Sequence, residues 1–153
     1  MPNPTATDAQ IMMQLYDLRR EAEMRKARDW STLEFFPSSQ EEIMAIFMAQ
    51  GSDPNRWLRQ VISYWEMVAS FVNRGVLNRD LLEDSVGEYV NVYSKFRPYL
   101  KEIRRAIGYP EFMINIERLV EESEAGRRRV AMMEKWIADR RAQQAQGARA
   151  KTA

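Results

Sequence analysis

The segment between Gly51 and Gly75 constrains the fold more than any other part of the chain. It opens with Asp53 and Pro54, a pair typical of a helix N-cap and first helical position, and Gly75 is a residue favoured just beyond a helix end. Its polar residues fall on one narrow strip: Arg59, Ser63, Glu66, Ser70 and Asn73. A helix that is apolar around most of its circumference needs neighbours on several sides. The sequence therefore predicts a central buried helix over residues 54–74.

Helix signals recur along the rest of the chain, and strand patterns are weak. Thr7 and Gln10 have the spacing of a capping box, and Asn78 is a favourable N-cap for a short helix. The first helix is predicted to continue through the mixed-charge stretch 19–29 and to end near Pro37. With 153 residues, the chain has the size of one ordinary domain. We therefore predict an all-α, single-domain bundle of about six to seven helices.

The chain contains no histidine and no cysteine. This excludes Ser-His-Asp and Cys-His catalysis and zinc sites of the Cys/His kind. The glycines are isolated, so they form no phosphate-binding loop. We predict no catalytic residue, no metal, no cofactor and no small-molecule ligand. An enzyme that uses only carboxylates, Arg, Lys and Tyr stays as an alternative.

Charge is distributed unevenly although the net charge is only +1. Residues 1–123 are net acidic and residues 124–153 are strongly basic. We expect a helical bundle over 1–123, a basic amphipathic helix over 124–146 that packs on the bundle or extends from it, and a frayed tail over 147–153. No apolar run approaches the roughly 20 residues of a membrane span, and the N-terminus lacks the pattern of a secretory signal. These features predict a cytoplasmic protein.

The basic helix is the best candidate for a partner surface. Its predicted contact residues are Arg127, Arg128, Arg129, Lys135, Trp136, Arg140 and Arg141. Such a helix could lie on an anionic membrane, contact the phosphates of nucleic acid, or pack on the bundle or a second subunit with its arginines in water. The pI near 8.0 is mild for a nucleic-acid-binding protein. Packing is the outcome favoured by the pattern.

Two groups of charged residues are candidate polar sites. Glu66 lies on the polar strip of the central helix, and we predict that it pairs with Arg104 as a partly buried ion pair that sets helix register. A second group is acidic: Asp80, Glu83, Asp84 and Glu88. It lacks the calcium-loop pattern and the Glu-x-x-His pair of di-iron bundles. A solvated acidic face is the favoured interpretation, and a cation site is the alternative.

The ten methionines are interpreted mainly as core residues. A sharper alternative is an adaptable peptide-binding groove, because methionine-rich surfaces can repack around different partners. This alternative concerns the methionine pairs at 12–13 and 132–133 and the single methionines at 44 and 48.

Three spacing patterns carry a family resemblance. They are Trp65-Glu66-x-x-Ala69 followed by Gly75-Val76-Leu77 and Leu81-Leu82, Pro98-x-Leu100-x-x-x-Arg104-x-x-x-Gly108-x-Pro110, and Ile116-Glu117-x-Leu119. With them, about residues 10–123 resemble an uncharacterised bacterial helical domain family, a domain of unknown function. The resemblance implies a helical bundle in a bacterial cytoplasmic setting and brings no activity.

We therefore expect a non-enzymatic interaction or scaffold module that binds a protein partner or itself. The first alternative is peripheral binding to an anionic membrane or nucleic acid through the basic helix. The second is the carboxylate-based enzyme.

Overall fold

Nine α-helices make up the part of the chain described by the structure, a computed structural model covering residues 3–152, with side chains described for residues 3–149. They are α1 (Ala6–Arg20), α2 (Ala22–Leu33), α3 (Gln40–Met48), α4 (Asp53–Asn73), α5 (Arg79–Ser85), α6 (Glu88–Phe96), α7 (Leu100–Ile107), α8 (Ile114–Glu121) and α9 (Glu124–Thr152). A 3₁₀ turn, Arg97–Tyr99, joins α6 to α7. Residues 3–152 contain no strand. The all-α prediction is confirmed, with more helices than the six to seven expected.

The first helix is divided where the sequence predicted continuity. Glu21 leaves the helical conformation with ψ 142°, and its carboxylate accepts a hydrogen bond of 2.9 Å from the Met24 N–H. A side chain that satisfies a free N–H of the next turn starts a new helix there. The predicted cap is also displaced: Thr5, not Thr7, is the N-cap of α1 and forms the capping box with Asp8.

Helix α4 lies at the centre of the bundle, as the apolar pattern predicted. It packs chiefly against α2 and α8 and also contacts α3 and α6. Trp65 and Val68 are among its fully buried side chains. Its N-cap is Ser52, whose side chain accepts from the Asn55 N–H, so Asp53 is the first helical residue and not the predicted cap.

Helix α9 packs on the bundle against α6 and α8. Val130 and Ile137 are its buried apolar residues. Its close approach to α8 requires a glycine, because a Cβ at Gly126 would overlap the Val120 carbonyl oxygen. The helical backbone continues to Thr152, past the predicted end at residue 146, and the predicted tail's last residue, 153, lies outside the described residues. No helix within residues 3–152 is long and apolar enough to cross a membrane.

Candidate interaction groove

A groove of about 760 Å³ lies between α2, the N-terminal half of α6, and α9. It is lined by Arg28, Asp29, Thr32 and Leu33 of α2, by Gly87, Glu88, Val90 and Asn91 at the start of α6, and by Arg129, Met132, Met133 and Trp136 of α9. Most of the surface that faces the groove is apolar, although half of the lining residues carry polar or charged side chains. This composition is common at binding sites.

Large apolar side chains stand exposed at the edges of the groove. Leu33 is 58% exposed on the α2 side, and Met132 and Trp136 are 74% and 40% exposed on the α9 side. Single exposed apolar residues are ordinary on protein surfaces, but three of them at the edges of one mainly apolar groove are an arrangement typical of interaction sites.

The floor of the groove is a carboxylate held by several donors. Glu88, whose side chain is 14% exposed, accepts hydrogen bonds from Arg28 Nη2 at 2.7 Å, from Arg19 Nη2 at 3.1 Å and from Trp65 Nε1 at 3.2 Å. Arg28 Nε also donates to both of its oxygens. These bonds connect α1, α2, α4 and α6 at one point. The residue at the groove floor therefore also holds these four helices together.

The acidic residues around Glu88 do not form one solvated face. Asp80 and Asp84 are exposed, as expected for such a face. The Glu83 side chain, in contrast, is largely covered. Its carboxylate oxygens lie 3.5 Å from Arg129 Nη1 and 3.7 Å from Arg79 Nη1. Glu88 lies in the groove floor. The interpretation as a solvated face is thus wrong for Glu83 and Glu88. No group of three or more carboxylates in the described chain is arranged to hold a metal ion.

Glu66 and Arg104 do not pair with each other, so that prediction is wrong. The Glu66 carboxylate accepts from Asn115 N and Nδ2, both at 2.8 Å, and from Ile116 N at 3.1 Å. Asn115 N and Ile116 N are backbone N–H groups in the first turn of α8, whose N-cap residue, Met113, has no capping side chain and a φ of 59°.

Arg104 contacts the same part of the chain through different partners. Its Nη2 donates to Glu117 at 2.8 Å and its Nε to the Phe112 carbonyl at 2.9 Å. Both predicted residues thus hold α8 in place separately. Glu66 also lines a second cavity, of about 590 Å³, near Phe47 and Tyr109.

Comparison with known proteins identifies the domain. A family model described as a domain of unknown function, DUF4760, matches residues 4–123. The chain belongs to the DUF4760 family. The match confirms the resemblance to a family of unknown function and begins slightly before the predicted residue 10. No curated protein and no solved structure shows significant similarity to the chain.

The groove is shared between the DUF4760 domain and the helix that follows it. Helices α2 and α6 lie inside the matched segment, whereas α9 begins at Glu124, just after it. The domain thus supplies the floor and one wall, and α9 supplies the other wall.

The seven predicted partner-surface residues lie on two sides of α9. Four are turned toward the DUF4760 domain: Arg129, Trp136, Arg140 and Arg141. The other three, Arg127, Arg128 and Lys135, are exposed, as is Trp136, and Arg127 also donates to the Glu121 carbonyl of α8. The aromatic rings of Trp136 and Phe36 lie 5.7 Å apart, and the Arg140 guanidinium lies 5.8 Å from each ring. Part of the predicted surface therefore holds α9 on the domain, and Trp136 also borders the groove.

A buried lysine was not among the predicted site residues. Lys95 of α6 is 0% exposed, and its Nζ donates to the Ser31 carbonyl in the last turn of α2. The Nζ lies 4.3 Å from the centre of the Phe36 ring. No carboxylate of the described chain is within ion-pair distance of it. Burial, with a smaller contribution from the Arg141 charge, lowers the pKa of Lys95 to about 7.

Proposed function

We propose that this chain is a non-enzymatic interaction module that binds a protein partner in the groove between α2, α6 and α9. The observation that carries the proposal is the exposure of Leu33, Met132 and Trp136 around an apolar groove. Removing apolar surface from water stabilises a complex by roughly 25 cal/mol for each Å² that is covered. A partner that covers these three side chains recovers that free energy.

The nature of the side chains favours a protein segment as the occupant. Met132 and Met133 are flexible and polarisable, so they can adapt to another apolar surface. A small molecule is normally enclosed by its pocket, whereas Met132 at the edge of this groove is mostly exposed. Following the family resemblance, we place the module in the cytoplasm of a bacterial cell.

Two of the enclosed carboxylates considered above support an interaction role over catalysis. Glu88 in the groove and Glu66 in the second cavity both accept several hydrogen bonds from the protein itself. A general acid or base must instead reach the proton that it transfers on a substrate. The hydrogen bonds of Glu88 hold helices together, and those of Glu66 cap the start of α8.

Site-specific crosslinking in the native host tests the proposal. A photoreactive amino acid at Met132 should give a defined protein adduct, which Leu33→Glu on the opposite edge should abolish. The matched control is Met13, which is similarly exposed but lines a different cavity. Equal adducts from Met13 and Met132, or no adduct at Met132, would contradict the proposal.

The same experiment separates the alternative of membrane or nucleic-acid binding through α9. That alternative depends on the outward residues Arg127, Arg128 and Lys135. If photoproducts at Met132 contain lipid or nucleic acid, or if anionic vesicles retain the chain and Leu33→Glu does not release it, the alternative replaces the groove.

A further inference from the structure

The Asn91 side chain, in the α6 wall of the groove, is buried and lacks a strong hydrogen-bond partner. It is 7% exposed. Its Nδ2 donates to Met133 Sδ of α9 at 3.2 Å, and its Oδ1 is closed to solvent and has no partner among the described residues. A thioether sulfur is only a weak acceptor. Both ends of this amide are therefore poorly satisfied, which is unfavourable for a buried polar group.

A second buried asparagine shows the contrast with a structural amide. Asn55 is 3% exposed, and its Nδ2 donates to the Ile46 and Phe47 carbonyls, both at 3.0 Å. These bonds satisfy carbonyl groups in the last turn of α3. The Asn91 amide has no such role in the described chain. Residues that are unfavourable for folding are expected at functional sites, so the position of Asn91 in the groove indicates a role in binding.

The hydrogen-bonding capacity of Asn91 selects the group that would complete it. Oδ1 needs a donor, and Nδ2 needs a stronger acceptor than sulfur. A primary amide has a donor and an acceptor side by side, so it satisfies both ends through two reciprocal hydrogen bonds. The N–H and C=O of a trans peptide group point in opposite directions, so a main-chain group satisfies one end at a time. In proteins, asparagine and glutamine side chains carry the primary amide.

We propose that Asn91 anchors the partner protein by pairing with an asparagine or glutamine side chain that displaces Met133 in the groove. This inference rests on the proposed function and specifies what the bound segment carries. Met133 is unbranched and flexible, so it can turn away at the cost of a weak bond to sulfur. A partner without the amide leaves Asn91 unpaired in the complex, so Asn91 discriminates among apolar segments.

Three small aromatic probes test the pairing with the full chain. Benzamide carries a primary amide, N-methylbenzamide carries a peptide-like amide, and methyl benzoate has no N–H donor. NMR signals of the Asn91 side-chain amide and the Met133 methyl group report binding beside Asn91. Benzamide should bind about tenfold more tightly than methyl benzoate, because two ordinary hydrogen bonds together correspond to roughly that ratio. The preference should disappear in Asn91→Leu.

Other results from the probes would overturn the pairing. Equal binding of benzamide and methyl benzoate, or a benzamide preference that survives in Asn91→Leu, would show that Asn91 does not recognise the amide. If N-methylbenzamide binds as tightly as benzamide, a main-chain peptide group replaces the asparagine or glutamine side chain.

Thermal unfolding separates a binding role from a structural one. Asn91→Leu removes the poorly satisfied amide at similar volume, so it should unfold at the parent's temperature or a higher one. Asn55→Leu is the matched control and should unfold at a lower temperature, because two carbonyls of α3 lose their donor. If both variants are destabilised equally, the Asn91 amide holds the fold and the inference fails.

The crosslinking experiment at Met132 distinguishes this inference from the proposed function. The adduct should be strongly reduced when Asn91→Leu is introduced. An adduct of equal yield with and without Asn91→Leu would overturn the role of Asn91 and leave the proposed function standing. No adduct in either chain would overturn both.

Discussion

Replacement of Lys95 by methionine should stabilise the chain at pH 6 and remove most of its pH dependence up to pH 9. Methionine has a similar length and no charge, so it fits the same space among Phe35 and Phe36 at little cost in packing. The substitution removes a cation that is buried without a carboxylate partner in the described chain.

The magnitude follows from the pKa of Lys95. It falls from 10.5 to about 7 on folding, so the unfolded chain binds more protons than the folded one between these values. The free energy of unfolding therefore rises as the pH increases from about 7 to 10.5. Below pH 7 the full destabilisation by the buried Lys95 cation is present. At 1.36 kcal/mol per pKa unit, the penalty is roughly 4–5 kcal/mol at pH 6 and about 2 kcal/mol at pH 9. The parent chain should gain about 2–3 kcal/mol between pH 6 and pH 9.

Methionine also has a cost, because the Ser31 carbonyl loses its donor. An unpaired buried acceptor costs about 1–3 kcal/mol. The net effect of Lys95→Met is then a stabilisation of about 2–3 kcal/mol at pH 6 and close to zero at pH 9. For a chain of this size, the change at pH 6 corresponds to a rise in Tm of roughly 5–10 °C.

Thermal and urea unfolding at pH 6, 7, 8 and 9 measure this effect. The range from pH 6 to pH 9 is suitable because the chain has no histidine and no cysteine side chain that would titrate within it. Burial raises the pKa of Tyr64 to about 12, so this phenol stays neutral up to pH 9. The control is Lys101→Met at an exposed position of α7, which should keep the parent pH dependence. The reasoning is refuted if Lys95→Met retains the parent's slope with pH, or if it is less stable than the parent at pH 6.

Three further substitutions, one of them with a matched control, test other contacts by denaturant unfolding. Gly126→Ala should destabilise the chain by about 1–3 kcal/mol through overlap with α8, while Gly147→Ala, with open space around it, should be neutral or slightly stabilising; equal effects would contradict the close approach of α9. Glu66→Gln should cost about 1–3 kcal/mol, because an amide group replaces part of the acceptor at the start of α8; a melt that matches the parent would refute this. Glu88→Gln should cost about 3–5 kcal/mol by leaving two arginines without their carboxylate, and an unchanged unfolding midpoint would show that this carboxylate is dispensable.

The main helices could be predicted because their signals are local. The apolar circumference of α4, the Asn78 cap and the glycine after Arg74 each act within a few residues of the chain. The break at Glu21 was missed because glutamate is an unusual N-cap residue.

The polar contacts were harder to predict because they join residues far apart in the sequence. Glu66 caps a helix that begins about fifty positions later, and Met113 before that helix shows no capping motif. Lys95 reaches the end of α2, and only the apolar neighbours around α6 could have indicated its burial. Such contacts depend on how helices are placed, which periodicity alone does not determine.

The position of α9 after the family-matching segment separates the two walls of the groove. Residues 4–123 carry the central helix and the groove floor, whereas Met132 and Trp136 lie on a helix outside that segment. If the proposed partner occupies the groove, substitutions at these two positions would change which partner binds without altering the side chains around α4. A chain with the same domain and a different final helix would then keep the groove floor and bind a different partner.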